Sequence, residues 1–177
     1  MKAVFVTLII AFSYNTALSQ WNENAEEYLR ELMFKKINEL RVKKRVSPLI
    51  ADSILQKAAK FHSDYMIKSG KLTHIESSLK AKTPDKRVRM FDGNEFVYIG
   101  ENVLCSRPQE TQFTKTQLET LSLEMFESWV ESKGHYKNMV DPEYQYTDFG
   151  FSLQKRTGVV FATQVFGKKG NLDRRRN

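Results

Sequence analysis

Residues 118–140, LETLSLEMFESWVESKGHYKNMV, decide how the rest of the chain is read. Leu118, Leu121, Met125 and Trp129 recur at three- and four-residue steps, which places them on one face of a helix. The next position on that face is Ser132. Thr116 and Glu119 have the spacing of a capping box, in which a hydroxyl and a carboxylate satisfy free backbone N–H groups, and so predict where the helix starts. Gly134 predicts its end. The apolar stripe therefore runs out at a polar pair, Ser132 and His135.

Downstream, Phe149, Phe151 and Leu153 alternate with polar or small residues, Lys155 to Gly158 supply a turn, and Val159 to Phe166 return as a β-prone run, the pattern of a hairpin. Upstream, Glu95 to Leu104 is also β-prone. Gly100 within it predicts a bulge or a close backbone approach, and places Glu101 at an irregular strand end. Residues 25–41 carry Leu29, Leu32, Met33, Ile37 and Leu40 on one stripe, an amphipathic helix. Ser47-Pro48 breaks it. A second helix, capped by Asp52 and running to about Lys68, turns Ile54, Leu55, Ala58, Ala59, Tyr65 and Met66 inward and stops at Gly70. His62 shares its buried face and reads as a core histidine with its hydrogen bonds satisfied, not as a ligand. From Lys71 to Asn94 the chain is polar and irregular, with Thr83-Pro84-Asp85 as a turn or helix start and Asp92-Gly93 as a turn. His74 in this stretch is free to serve a site. About three antiparallel strands with helices before and between them make an α+β fold.

A chain of 177 residues with 41% apolar content, including 12 Phe, is long enough for one domain with a sizeable core. Lys2, the apolar run from Ala3 to Phe12 and the small-x-small site Ala17-Leu18-Ser19 predict a signal peptide over residues 1–19. That run is too short to span a bilayer, and no Cys follows it to carry a lipid anchor. The expected mature chain begins at Gln20, is exported to the periplasm or the extracellular space, has no transmembrane segment and is a monomer. Its domain covers residues 20–167, followed by a basic tail over residues 168–177. Of the net charge of +7, Lys2 carries +1 and the tail +4, so the body is left near neutrality at +2. No nucleic-acid partner is expected from that distribution, and no aromatic platform interleaves with the basic residues. The tail reads as a solvated end, with weak attachment to an anionic envelope as its other reading. Cys105 is the single cysteine, so an intrachain disulfide is excluded, and its place after an apolar strand predicts a buried small hydrophobe.

Taken together, His74, the tripeptide Gly100-Glu101-Asn102, the run Trp129-x-x-Ser132-x-Gly134-His135, Asn138 and the closing Thr163-Gln164-Val165-Phe166-Gly167 resemble the bacterial branch of the CAP superfamily, also called SCP-like domains. The resemblance extends over residues 30–167. It implies an α-β-α sandwich with a three-stranded antiparallel sheet between helical layers, and a cleft lined by two His and two acidic residues. On that pattern His74, Glu101 and His135 fill three of the four positions. Ser132 stands at the fourth, where the family has an acid, and Glu131 is turned away by about 100°.

The expected ligand cleft is His74, Glu101, Ser132 and His135. Two imidazoles and a carboxylate, His74, Glu101 and His135, are a donor set suited to Zn²⁺, and some members of the family bind zinc in this cleft. The same side chains can instead hydrogen-bond one another and hold the cleft in shape. Ser132 with His135 as base and Glu101 as orienting group would make a nucleophilic site. The preferred expectation is a non-enzymatic domain that binds a lipid-like or cell-envelope-derived ligand or partner, since sterol and lipid binding occurs in eukaryotic members. Its alternative is a metal-assisted or Ser/His hydrolase of envelope or extracellular polymers. The missing charge at Ser132 favours binding.

Overall fold

The computed structural model describes residues 21–108 and 113–170, so the expected signal segment and the end of the tail lie outside the described residues. Helix α1, Glu23–Lys43, is capped by Asn22, whose side chain accepts from Ala25 N. Ala25, Leu29, Met33 and Ile37 form its buried stripe, and Arg41 continues it. Strand β1 is the two-residue segment Ile50–Ala51. Helix α2, Ser53–Ser69, begins at Asp52, which accepts from Ile54 N and Leu55 N, and stops at Gly70 in the left-handed conformation, both as expected. Helix α3, Pro84–Met90, starts behind Thr83. Strand β2 is Phe96–Ser106, helix α4 Lys115–Glu131, helix α5 Lys133–Val140, strand β3 Tyr146–Gln154 and strand β4 Val159–Lys169.

The start of α4 differs from the sequence expectation by two residues. The cap is Thr114, and Gln117 reaches back to its N–H, so the box is Thr114/Gln117 and not Thr116/Glu119. The preceding residue decides the frame. With Thr114 as cap, Phe113 and Leu118 occupy the two positions of a hydrophobic staple, and both are buried in the same core cluster. With Thr116 as cap, the first of those positions would be Lys115. Gly134 does not end the helix either. The break is at Ser132, extended at φ −83° and ψ 115°, and Gly134 lies inside α5.

The sheet has four strands in the order β1-β3-β4-β2, one more than expected. The addition is β1, too short for a periodic signal, which pairs in parallel with β3. The other pairings are antiparallel. Strand β4 reaches Lys169, so Lys168 and Lys169, assigned by sequence to the tail, pair with Tyr98 and Phe96.

Alternate strand residues face opposite layers. Leu104, Phe149, Phe151, Val160, Ala162 and Phe166 pack with α1, α4 and α5 around Trp129. Val165 and Phe96 pack under α2 and α3 with Leu55, Ala58, Ala59 and Val88, while Val103 and Phe161 pack under Met66. This is the α-β-α sandwich. Cys105 corrects another expectation: it is exposed, because it lies near the end of an edge strand, two residues beyond the Val103 that Met66 covers.

Candidate functional site

Strand β2 forms the outer edge of the sheet, and its Gly100-Glu101-Asn102 tripeptide serves both helical layers. Glu101 is in the middle of the strand, paired with Val165, and not at an irregular end; the irregularity falls between Phe96 and Tyr98. Gly100 meets the other half of its expectation, a close approach, since a Cβ there would lie 2.1 Å from Tyr144 Oη.

On the α2/α3 side, Glu101 enters a buried polar network. Its Oε2 accepts from Arg87 Nη2 at 2.5 Å and its Oε1 lies 2.9 Å from His74 Nδ1. Arg87 also donates to the carbonyls of Ala81 and His74, and its Nη1 is 3.7 Å from Glu76 Oε1. His62 is fully buried, with Nε2 2.7 Å from the Thr73 carbonyl and Nδ1 2.8 Å from Glu76 Oε1. A carbonyl only accepts, so His62 Nε2 carries a proton, and a second proton must lie between His62 Nδ1 and Glu76. Wherever that proton sits, the group Glu76, Glu101, Arg87 and His62 sums to zero net charge. Burial without pairing would be costly for each of these side chains, and the network removes that penalty. His62 is the satisfied core histidine the sequence implied.

On the other side of the strand, Asn102 donates to the His135 carbonyl at 3.2 Å, and Asn138 donates to Asn102 Oδ1 at 2.9 Å. These bonds dock α5 on the sheet. Arg41, buried in α1, holds the far end of α5 by donating to the carbonyls of Met139, Asp141 and Tyr144. The two candidate histidines thus come from opposite layers, His74 from the segment between α2 and α3, and His135 from α5.

Half of the His74 side chain is exposed. Glu101 accepts from Arg87 at Oε2, and with His74 Nδ1 as the donor to its Oε1 the imidazole's Nε2 is the nitrogen left to face outward. Burial, and secondarily the nearby His74, lowers the pKa of His135 from its ordinary value, which favours its neutral form. Ser132 is half-buried at the α4–α5 junction and forms no side-chain cap hydrogen bond. Among the described residues, no hydrogen bond joins its hydroxyl to the His135 ring.

The expected three-ligand metal set does not fit this arrangement. Glu101 is engaged at both oxygens, and among the described residues no group of three His, Cys, Asp or Glu side chains is placed to hold an ion. Glu101 orients His74 instead. Sequence reasoning missed Glu76 and Arg87. Glu76 sits two residues after His74 and could have been suspected from that spacing, but nothing in PDKRVRM separates the buried arginine from the exposed one.

Residues 34–166 match the sequence model of the CAP family, the cysteine-rich secretory protein family. The chain belongs to the CAP family. Among solved structures, this CAP domain is similar to an outer surface protein of Borrelia burgdorferi, with a TM-score of 0.66 at 19% identity, covering 81% of this chain and 94% of that one. It is similar to an extracellular SCP-domain protein of Bacillus anthracis, TM-score 0.62 at 22% identity, covering 81% of this chain but only 41% of that one. The CAP domain of enterococcal PrgA is a third, TM-score 0.64 at 16% identity over 89% of this chain and 67% of that one. Comparison with curated proteins gives no match. Identities this low speak to the fold alone.

Proposed function

We propose that the chain is an exported, monomeric CAP domain that binds a lipid-like or envelope-derived ligand through the cleft of His74, Glu101, Ser132 and His135. The observation that carries this reading is the hydrogen bond from His74 to a Glu101 already held by Arg87. It fixes the ring and leaves Nε2 to accept from a ligand, while committing the one carboxylate that a hydrolase would need to orient His135 as a base. Export is supported by the predicted signal segment and by similar proteins described as an outer surface protein and an extracellular protein. Among the described residues no helix is long and apolar enough to cross a membrane.

The test compares natively purified wild-type protein with a His74→Ala/His135→Ala variant. Mass spectrometry of organic extracts is expected to find a small amphiphile with the wild type and to find it depleted in the variant. If the wild type instead hydrolyses envelope polymers and the variant does not, the binding reading fails.

A further inference from the structure

The segment from Lys71 to Lys82 contains buried Glu76 and the half-exposed His74 of the polar network, and it also carries exposed apolar side chains. Leu72 is 50% exposed, Ile75 47% and Leu79 75%. Leu79 and Lys80 form the apex of a turn closed by Ala81 N to Ser78 O, and Glu76 N to Lys82 O closes the neck below it. On α3, Lys86, Arg89 and Met90 fall at i, i+3 and i+4 and are exposed, while Arg87 and Val88 between them are buried. Lys86 Nζ donates to the Leu79 carbonyl at 2.9 Å, which sets this helix face against the turn apex. Four aliphatic side chains are thus presented beside Lys68, Lys71, Lys80, Lys82, Lys86 and Arg89, all exposed. Asp85 is the one exposed acid between residues 68 and 90, since Glu76 is buried.

We infer that this surface docks on an anionic lipid membrane. Exposed Leu, Ile and Met can enter the boundary between headgroups and acyl chains, and a surrounding ring of lysines meets the negative headgroups. Aliphatic side chains do not stack, so the surface does not suit bases or sugar rings in the same way. The segment is anchored by the hydrogen bonds His74 to Glu101, Glu76 to His62 and Ser77 N to Tyr65 Oη, so docking needs to order little new chain. The surface flanks His74, so docking would hold the mouth of the cleft against the bilayer. It goes beyond the cleft reading and does not require the cleft to take a ligand.

The experiment is co-sedimentation of the full chain with vesicles of phosphatidylcholine alone or mixed with phosphatidylglycerol. Binding is expected to the mixed vesicles and not to phosphatidylcholine alone, and to weaken as salt is raised. Leu79→Ser, at an exposed turn apex, keeps the fold and lowers the partition coefficient. Lys80→Glu/Lys82→Glu/Lys86→Glu lowers it by about a hundredfold, at about fivefold for each basic group lost near the surface and more on charge reversal. Three results would overturn the inference. The first is a wild type that stays in the supernatant with both vesicle types. The second is sedimentation abolished by Arg174→Ser/Arg175→Ser/Arg176→Ser while the Leu79 and lysine variants bind like wild type. The third is a dimer, seen by sedimentation equilibrium without vesicles and broken by Leu79→Ser, which would make the surface a contact between copies.

Discussion

Arg87 Nη2 lies 2.5 Å from Glu101 Oε2, and both side chains are buried. Removing the guanidinium would leave buried Glu101 with His74 as its partner and would take away the positive charge 3.7 Å from Glu76. Arg87→Met is expected to cost about 3–5 kcal/mol in urea unfolding, the usual penalty for breaking a buried pair on one side. Arg87→Met/Glu101→Gln should recover part of that loss. An unchanged unfolding midpoint in Arg87→Met would show that the network contributes nothing to stability.

Asp148, buried in β3, has its pKa raised to about 6 by burial, against the opposing pull of the Phe149 N–H, Arg30 and the Asp52 N–H. The folded value lies above the ordinary aspartate value of 3.8, so folding favours the protonated form. Its contribution is complete below about pH 4 and is lost as pH rises through 6, a change of about 3 kcal/mol. Relative to Asp148→Asn, which cannot titrate, the wild type should therefore lose stability between about pH 4 and 7. Parallel urea curves for the two proteins across that window would contradict the assignment.

Gly150 faces α2 so closely that a Cβ would lie 2.1 Å from Lys60 N and 2.3 Å from the Ala59 carbonyl carbon. These are backbone atoms and cannot rotate away. Gly150→Ala should push α2 off the sheet and cost about 3 kcal/mol or more, the upper end for overpacking, read as a lowered Tm. Gly134→Ala is the matched control, because nothing lies within 4 Å of a Cβ there.

NMR titration of the imidazole carbons tests the cleft directly. The pKa of His135 should be below the ordinary histidine value, chiefly through burial, and His74→Ala should raise it by removing the lesser, coulombic contribution of the neighbouring imidazole. A depressed folded value favours the neutral ring, so this contribution to stability is present above the unfolded pKa and lost as pH falls through the folded one. A His135 that titrates identically with and without His74 would mean the two rings do not share a cleft.

The elements legible in the sequence are those with local causes. Asp52 and Gly70 bound α2 because a cap and a left-handed stop act within a few residues, and Gly158, at φ +70°, turns the β3–β4 hairpin for the same reason. Where two local signals compete, a contact further along decides, as Phe113 does for the start of α4. Of the candidate site, His74 and Glu101, which the structure brings together, were legible as residue types, but the network around them was not. Arg41 and Arg87 are buried because carbonyls and carboxylates from other segments surround them, and no periodicity in an arginine's own neighbourhood encodes that.

Strand β4 carries a consequence for how the molecule is made. Among the described residues it is the last strand and an inner one in the sheet, the sole ladder partner of β2 and the antiparallel partner of β3. Until residues 159–169 have emerged, Glu101 and Asn102 have no sheet to stand on, and the two helical layers have no common wall. A nascent chain stopped short of β4 can form its helices but not the sheet that joins them. Assembly of the sheet therefore waits for β4, and a chain crossing a membrane N-terminus first would carry its earlier strands across unpaired until β4 followed.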